Sequence, residues 1–215
     1  MRLTKHAHAC VTVEKDDTRL VIDPGTFTPD ASDAVGRAQA VLITHEHFDH
    51  FDEKLVAAAL ADRTELEVYG TAGVAAALGS QGGRVHAVAA GDTFTVGSVT
   101  VTVHGHCHAQ IHADIPCPDN VGYLLDGGTL YHPGDAYFVP DAPVRTLLLP
   151  TSGPWTKLGE AADYVRAVKP DQVVQIHELM LSELGQHSVA NLLGENGLTG
   201  IAVQRLAPGT TVQLQ

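Results

Sequence analysis

Apolar positions along this chain come in short runs broken by glycine, proline and acidic turns, a spacing that predicts many strands and few long helices. Strands are predicted over residues 9–13 and 19–22, around the polar turn Glu14-Lys15-Asp16-Asp17, and Asp23-Pro24-Gly25 ends the second of them. A linking loop follows. The wholly apolar Ala40-Val41-Leu42-Ile43 then reads as a strand buried on both faces. Residues 52–60 have helical composition with Asp52 as N-cap, residues 68–69 read as a strand, and a second helix over 71–78 is ended by Gly79. The middle of the chain predicts strands over 85–88, 93–96, 99–103, 122–125 and 129–131, separated by glycine turns at 97 and 127–128. The last third alternates: strand 146–149, helix 158–168, strand 172–176, helix 182–193, and strands near Ala202 and Val212. Strand-rich halves with interspersed helices suggest sheets packed face to face with helices outside. With no repeat and no linker, one domain over 1–215 is expected.

Composition narrows the function more than the fold. No apolar stretch nears the roughly 18 residues that would span a membrane. The opening Met1-Arg2-Leu3-Thr4-Lys5-His6 lacks an apolar signal region, so a cytoplasmic protein with no membrane partner is expected. A formal charge of −12 with only 13 Lys and Arg argues against nucleic acid. Three cysteines (10, 107 and 117), with no Cys-x-x-Cys pair, fit a reducing compartment rather than a disulfide framework. The anomaly is 13 histidines, more than the phenylalanines and tyrosines together, clustered at 6–8, 45–50 and 104–112.

Thr44-His45-Glu46-His47-Phe48-Asp49-His50 places four ligand-type side chains directly after the buried strand. Imidazole nitrogen and carboxylate oxygen suit zinc and similar metals. In extended backbone His45 and His47 point the same way and can grip one ion, while Asp49 and His50, past the turn, can reach a second. The segment resembles the His-x-His-x-Asp-His signature of the metallo-β-lactamase superfamily. Further pieces in the family's order carry the resemblance across residues 8–177: Val21-Ile22-Asp23-Pro24-Gly25, the strand and loop 101–108, Tyr131-His132-Pro133-Gly134-Asp135, and Val173-Val174-Gln175-Ile176-His177. The chain is most similar to a compact bacterial, lactonase-like branch. The resemblance implies an α+β fold, a four-layer αββα sandwich of two mixed sheets flanked by helices. It further implies a metal-dependent hydrolase with two divalent ions, zinc in the first place with manganese or iron as alternatives. His45, His47 and His108 would hold the first ion, Asp49, His50 and His177 the second, and Asp135 would bridge them. A hydroxide shared by the ions would attack an ester, lactone or phosphoester of a small molecule, with Asp49 and Asp135 as the catalytic carboxylates.

Other assignments stay open at this level. His106 and His112 compete with His108 as third histidine, since 104, 106 and 108 would share a face of an extended strand. His8, Asp23, His112, His132 and Trp155 are candidates for supporting the ligands or touching substrate. For Trp155, capping the core is an equal alternative. Cys107 reads as a small buried hydrophobe rather than a ligand. The competing functions are an iron-dependent thiol or persulfide oxidoreductase on the same fold, and a non-catalytic metal-binding protein. A homo-oligomer is compatible with the sequence.

Overall fold

The computed structural model describes residues 1–214. Two seven-stranded sheets face each other, each made largely from one half of the chain. The first holds β1 (Arg2–Lys5), β2 (Val11–Lys15), β3 (Thr18–Ile22), β4 (Ala40–Leu42), β5 (Glu67–Gly70) and β6 (Val85–Ala87). The second holds β7 (Thr93–Val96), β8 (Val99–His104), β9 (Gly122–Leu125), β10 (Leu130–His132), β11 (Thr146–Pro150), β12 (Gln172–Ile176) and β13 (Val203–Gln204). The last strand, β14 (Thr211–Gln213), returns to the first sheet and pairs antiparallel with β1. The strand orders are β14-β1-β2-β3-β4-β5-β6 and β13-β12-β11-β10-β9-β8-β7. Helices α1 (Ala31–Val35), α2 (Glu53–Asp62) and α3 (Ala72–Leu78) cover the first sheet, and α4 (Leu158–Val168) and α5 (Glu183–Leu193) the second.

Strand periodicity builds these layers. Leu20 and Ile22 enter the core between the sheets, while Val21 points outward under the helices with Val41, Ile43, Val56, Leu60 and Val74. Likewise Leu148 and Val174 face inward, and Leu147, Leu149 and Val173 pack against Ala161, Val165 and Leu193. Both faces of the central strands are thus covered, which is why their sequences read as continuous apolar runs. The four-layer αββα sandwich is the fold the motifs implied.

Most predicted elements lie within a residue or two of those observed. Asp52 caps α2 by accepting the Leu55 N–H, and Gly79, at φ +69°, ends α3. Besides a 3-10 turn over Gln81–Gly83, two elements were not foreseen. β1 carries three polar residues among four and shows only a weak pattern. The five-residue α1 lies inside the expected linking loop.

Chain direction fixes where function can sit. β3, β4, β5 and β6 run parallel, as do β10, β11, β12 and β13, and β8 shares the direction of β10 because both oppose β9. The loops leaving β3, β4, β8, β10, β11 and β12 therefore emerge at carboxyl ends, where open α/β sheets place their ligand sites. β2 runs opposite to β3, so the segment entering β2, residues 6–10, reaches the same edge.

Candidate metal centre

Eight donor side chains converge at this edge. His45, His47 and His108 form one cluster, and His8, Asp49, His50 and His177 another. His45, His50 and Asp135 group between them, with the donor atoms of each group within 4.8 Å of one another. In the first cluster His45 Nε2 lies 3.0 Å from His47 Nδ1, and the His108 ring stands 5.0 Å from His45 and 4.8 Å from His47. In the second, Asp49 Oδ2 lies 3.1 Å from His8 Nε2 and 3.4 Å from His177 Nε2. Asp135 spans the two: Oδ1 is 3.1 Å from His50 Nε2, and Oδ2 is 3.1 Å from His177 Nε2 and 3.4 Å from His108 Nε2.

Three of the imidazoles are aimed by a bond on the far side, an arrangement that fixes a ring's tautomer. His50 Nδ1 meets Asp23 Oδ2 at 2.7 Å, His108 Nδ1 meets the Ala109 carbonyl at 2.6 Å, and His45 Nδ1 meets Thr44 Oγ1 at 3.0 Å. Asp23 also accepts the Thr44 N–H and hydroxyl, both at 2.8 Å, so one buried carboxylate ties the end of β3 to the ligand turn after β4. Asp135 is held through its backbone N–H by Asn120 Oδ1 at 2.9 Å, and through Oδ2 by the Trp155 indole N–H at 3.0 Å. Gly25 and Gly134 make room for this packing. A Cβ at Gly25 would stand 2.0 Å from the Asp49 carbonyl oxygen, and one at Gly134, whose φ is +65°, would stand 2.2 Å from Asn120 Oδ1.

Backbone strain is concentrated here. His8, Asp23 and His177 all have φ between +52° and +56°. For residues with a Cβ this region costs of order 1–3 kcal/mol each, and such strain clusters at functional sites. His8 and His177 support one another: the His177 N–H donates to the His8 carbonyl at 3.1 Å, and their rings lie 3.8 Å apart. Behind them Lys5, fully buried, pairs with Glu178 at 2.9 Å and donates to the His6 carbonyl, while the same Glu178 oxygen accepts the His8 N–H at 3.3 Å.

The electrostatics follow from crowding. Burial would raise the Asp135 carboxyl, but His50 and His177 hold it well below the usual carboxylate range. Asp49 is likewise driven down, against the effect of burial, by the His177 and His8 imidazoles beside it. Burial opposes charge on His50, yet Asp135 and Asp23 on either side raise it well above its ordinary value. His177, also buried, is pushed up to about 9 by Asp135 and Asp49. Burial, with His50 beside it, takes His45 well below 6.5, and burial plus the neighbouring His108 lowers His47.

The donor set fits metal ions. His50 Nε2, Asp135 Oδ1 and His177 Nε2 are buried and near one another, but none has a partner in hydrogen-bond geometry. Buried polar atoms are otherwise nearly always bonded. Nitrogen and carboxylate oxygen at this spacing suit zinc or a similar divalent ion.

Of the residues predicted from sequence, the structure brings together His45, His47, Asp49, His50, His108, Asp135 and His177, with His8, Asp23 and Trp155 in direct contact with members of the group. His132 lies behind the centre, bonded to the Ala9 carbonyl and 3.7 Å from Asp23. His112 is not brought in: its side chain is 64% exposed and pairs with Asp114 in the same loop. The competition among histidines resolves because β8 stops at His104 and Gly105 turns at φ +74°, so the two-residue alternation lapses. His106 is exposed and His108 is buried. Cys107 is exposed, not the buried hydrophobe expected, because the same turn puts it outside. Sequence reasoning missed Asn120 and the Lys5–Glu178 pair. Only the position of Glu178 next to His177 hinted at either.

Comparison with known proteins agrees with this geometry. The sequence model of the "Beta-lactamase superfamily domain" family matches residues 2–177. The chain is similar to protein Rv0786c of Mycobacterium tuberculosis, 40% identical over 186 residues that cover 85% of this chain and 86% of that one. It is also similar to a UPF0173 metal-dependent hydrolase of Carboxydothermus hydrogenoformans, 27% identical over the full length of both. Among solved structures, Igni18, a metallo hydrolase of Ignicoccus hospitalis, shares the fold with a TM-score of 0.75 at 21% identity, covering 98% of this chain and 97% of that one. With the family matched over most of its length and the motif's donors gathered at one sheet edge, the chain belongs to the metallo-β-lactamase superfamily.

Proposed function

We propose that this metal-dependent hydrolase cleaves an ester, lactone or phosphoester of a small molecule at a dinuclear centre, with zinc as its ion. His45, His47 and His108 would hold one ion, Asp49, His50 and His177 the other, and Asp135 would be shared. The observation that supports this most directly is the position of Asp135, whose two oxygens face His108 of one cluster and His50 and His177 of the other. Two divalent ions held by these residues would supply a water made nucleophilic at neutral pH and a positive field for a developing oxyanion. The chain's own residues do the rest. Asp49, ionised through its contacts with His8 and His177, can orient that water and accept its proton at Oδ2. His47, half-buried, marks the side from which substrate enters. Phe48, between two ligands and 61% exposed, packs edge-on against Phe27 at 5.5 Å and gives the entrance an apolar wall.

Metal content per chain, measured on protein purified without a chelator, tests the reading together with hydrolysis of a lactone, ester and phosphoester panel. About two zinc or manganese ions per chain, and turnover abolished in His47→Ala without unfolding, are the expected results. A protein that takes up no metal on addition, or a His47→Ala variant with full turnover, would overturn it. One iron per chain would shift the reading to thiol or oxygen chemistry on the same fold.

A further inference from the structure

Trp155, the chain's lone tryptophan, has an environment that core-capping does not explain. It is 6% exposed, and its ring centre stands 6.0 Å from His108 of one cluster and 6.5 Å from His177 of the other. Its indole N–H donates to Asp135 Oδ2 at 3.0 Å. That oxygen faces one histidine of each cluster, whereas Oδ1 faces His50 alone. Around the Asp135 carboxylate, the indole is the one non-histidine side-chain donor recorded among the described residues.

The loop after β11 is shaped to hold the ring there. Gly153, at φ +135°, has no Cβ, and one placed on it would stand 3.0 Å from Trp155 Nε1 and 3.4 Å from His177 Cε1. The Thr156 N–H bonds back to the Gly153 carbonyl, closing a turn that carries the ring. Tyr137 packs against the indole at 5.0 Å and is itself fixed by a bond from its hydroxyl to the Pro150 carbonyl.

We propose that Trp155 is a positioning residue of the metal centre, whose indole N–H holds Asp135 with Oδ2 turned between the two clusters and thereby sets the affinity of the centre for its ions. This rests on the dinuclear reading above. A carboxylate free to rotate must be ordered when each ion arrives, whereas one already held presents its oxygen in place. Partners standing behind ligands commonly change metal affinity by about 10- to 100-fold when removed.

The test is zinc binding to metal-free wild type and Trp155→Phe, by calorimetry or competition with a chromophoric chelator, alongside the melting temperature of both metal-free proteins. Phenylalanine keeps an aromatic ring in the loop and removes the donor. Affinity lower by about 10- to 100-fold, a shifted visible spectrum of the cobalt-loaded variant and a closely similar metal-free melting temperature are expected. Unchanged affinity, or an affinity loss matched by an equal loss of metal-free stability, would overturn the proposal and leave the dinuclear reading standing. Wild type that binds no zinc would instead remove the reading itself. Should the variant fail to fold, wild-type fluorescence decides: zinc engaging Asp135 changes the emission of the one indole bonded to it, and emission unmoved at saturating zinc overturns the proposal.

Discussion

The two donor clusters are built from similar residues, but Asp49, His50 and His177 of the second are pushed toward charge, while burial lowers His8 beside them as it lowers His45 and His47 of the first. His45, His47 and His108 bring no carboxylate of their own, and burial with neighbouring imidazoles favours the neutral form of His45 and His47. In the second cluster Asp49 is driven to its ionised form, and His50 and His177 are raised against the effect of burial by the carboxylates around them. His45 and His47 therefore wait in the form a metal requires. The second cluster is held together by internal ion pairs that an incoming ion must replace, with release of protons. Asp135 is the hinge of the comparison, because it raises His50 and His177 of one cluster and faces His108 of the other.

Removing that hinge has the largest consequence. On the proposed dinuclear reading Asp135→Ala takes away the carboxylate between the clusters, so hydrolysis should fall by about 10³-fold while His45, His47 and His108 still take up one ion. Metal analysis of the purified variant, with steady-state rates on the best substrate of the panel, checks this. Two retained ions, or near-normal rates, would mean the clusters do not depend on Asp135.

His8→Ala acts on one side only. It removes the Asp49 partner at 3.1 Å and the tilted ring 3.8 Å from His177, without touching the first cluster. One of two zinc-binding events in calorimetry should weaken by about 10- to 100-fold, and the other should stay as in wild type. Equal weakening of both would show that His8 shapes the whole edge rather than the second cluster.

The same contrast explains what could be read from the sequence. The ligand turn 44–50 was legible because its donors are adjacent, and the strands because both faces of each are buried, so apolar runs mark them. Asp23 and His177 were legible through motifs at strand ends. His108 was legible only in part, since the choice over His106 depends on where β8 stops and on the turn at Gly105. The Lys5–Glu178 pair, 173 residues apart in the chain, and the Asn120 bond to the Asp135 backbone arise when distant loops meet, and no local pattern encodes them. The pairing of β14 with β1 was hidden for the same reason. The exposed Cys107 corrects a composition argument, because burial preference yields to the backbone turn beside it.

Acidity provides the gentlest probe of the two states. His177 is pushed up to about 9 from its ordinary 6.5, so the folded chain holds this proton more tightly than the unfolded chain does. The resulting stabilisation is complete below pH 6.5 and is lost as pH rises through about 9. Asp49 and Asp135 act at the other end: their depressed values contribute stability above the ordinary carboxylate value of 3.8, and it is lost only in stronger acid. The metal-free protein should therefore lose several degrees of melting temperature between about pH 6.5 and 9. The zinc-loaded protein should show the reverse slope, because deprotonated histidines bind the ion more tightly. Thermal melts with and without zinc across that window measure both. A metal-free protein whose melting temperature stays flat from pH 6.5 to 9 would mean that the second cluster is not held by protonated histidines, and the electrical contrast between the clusters would fall with it.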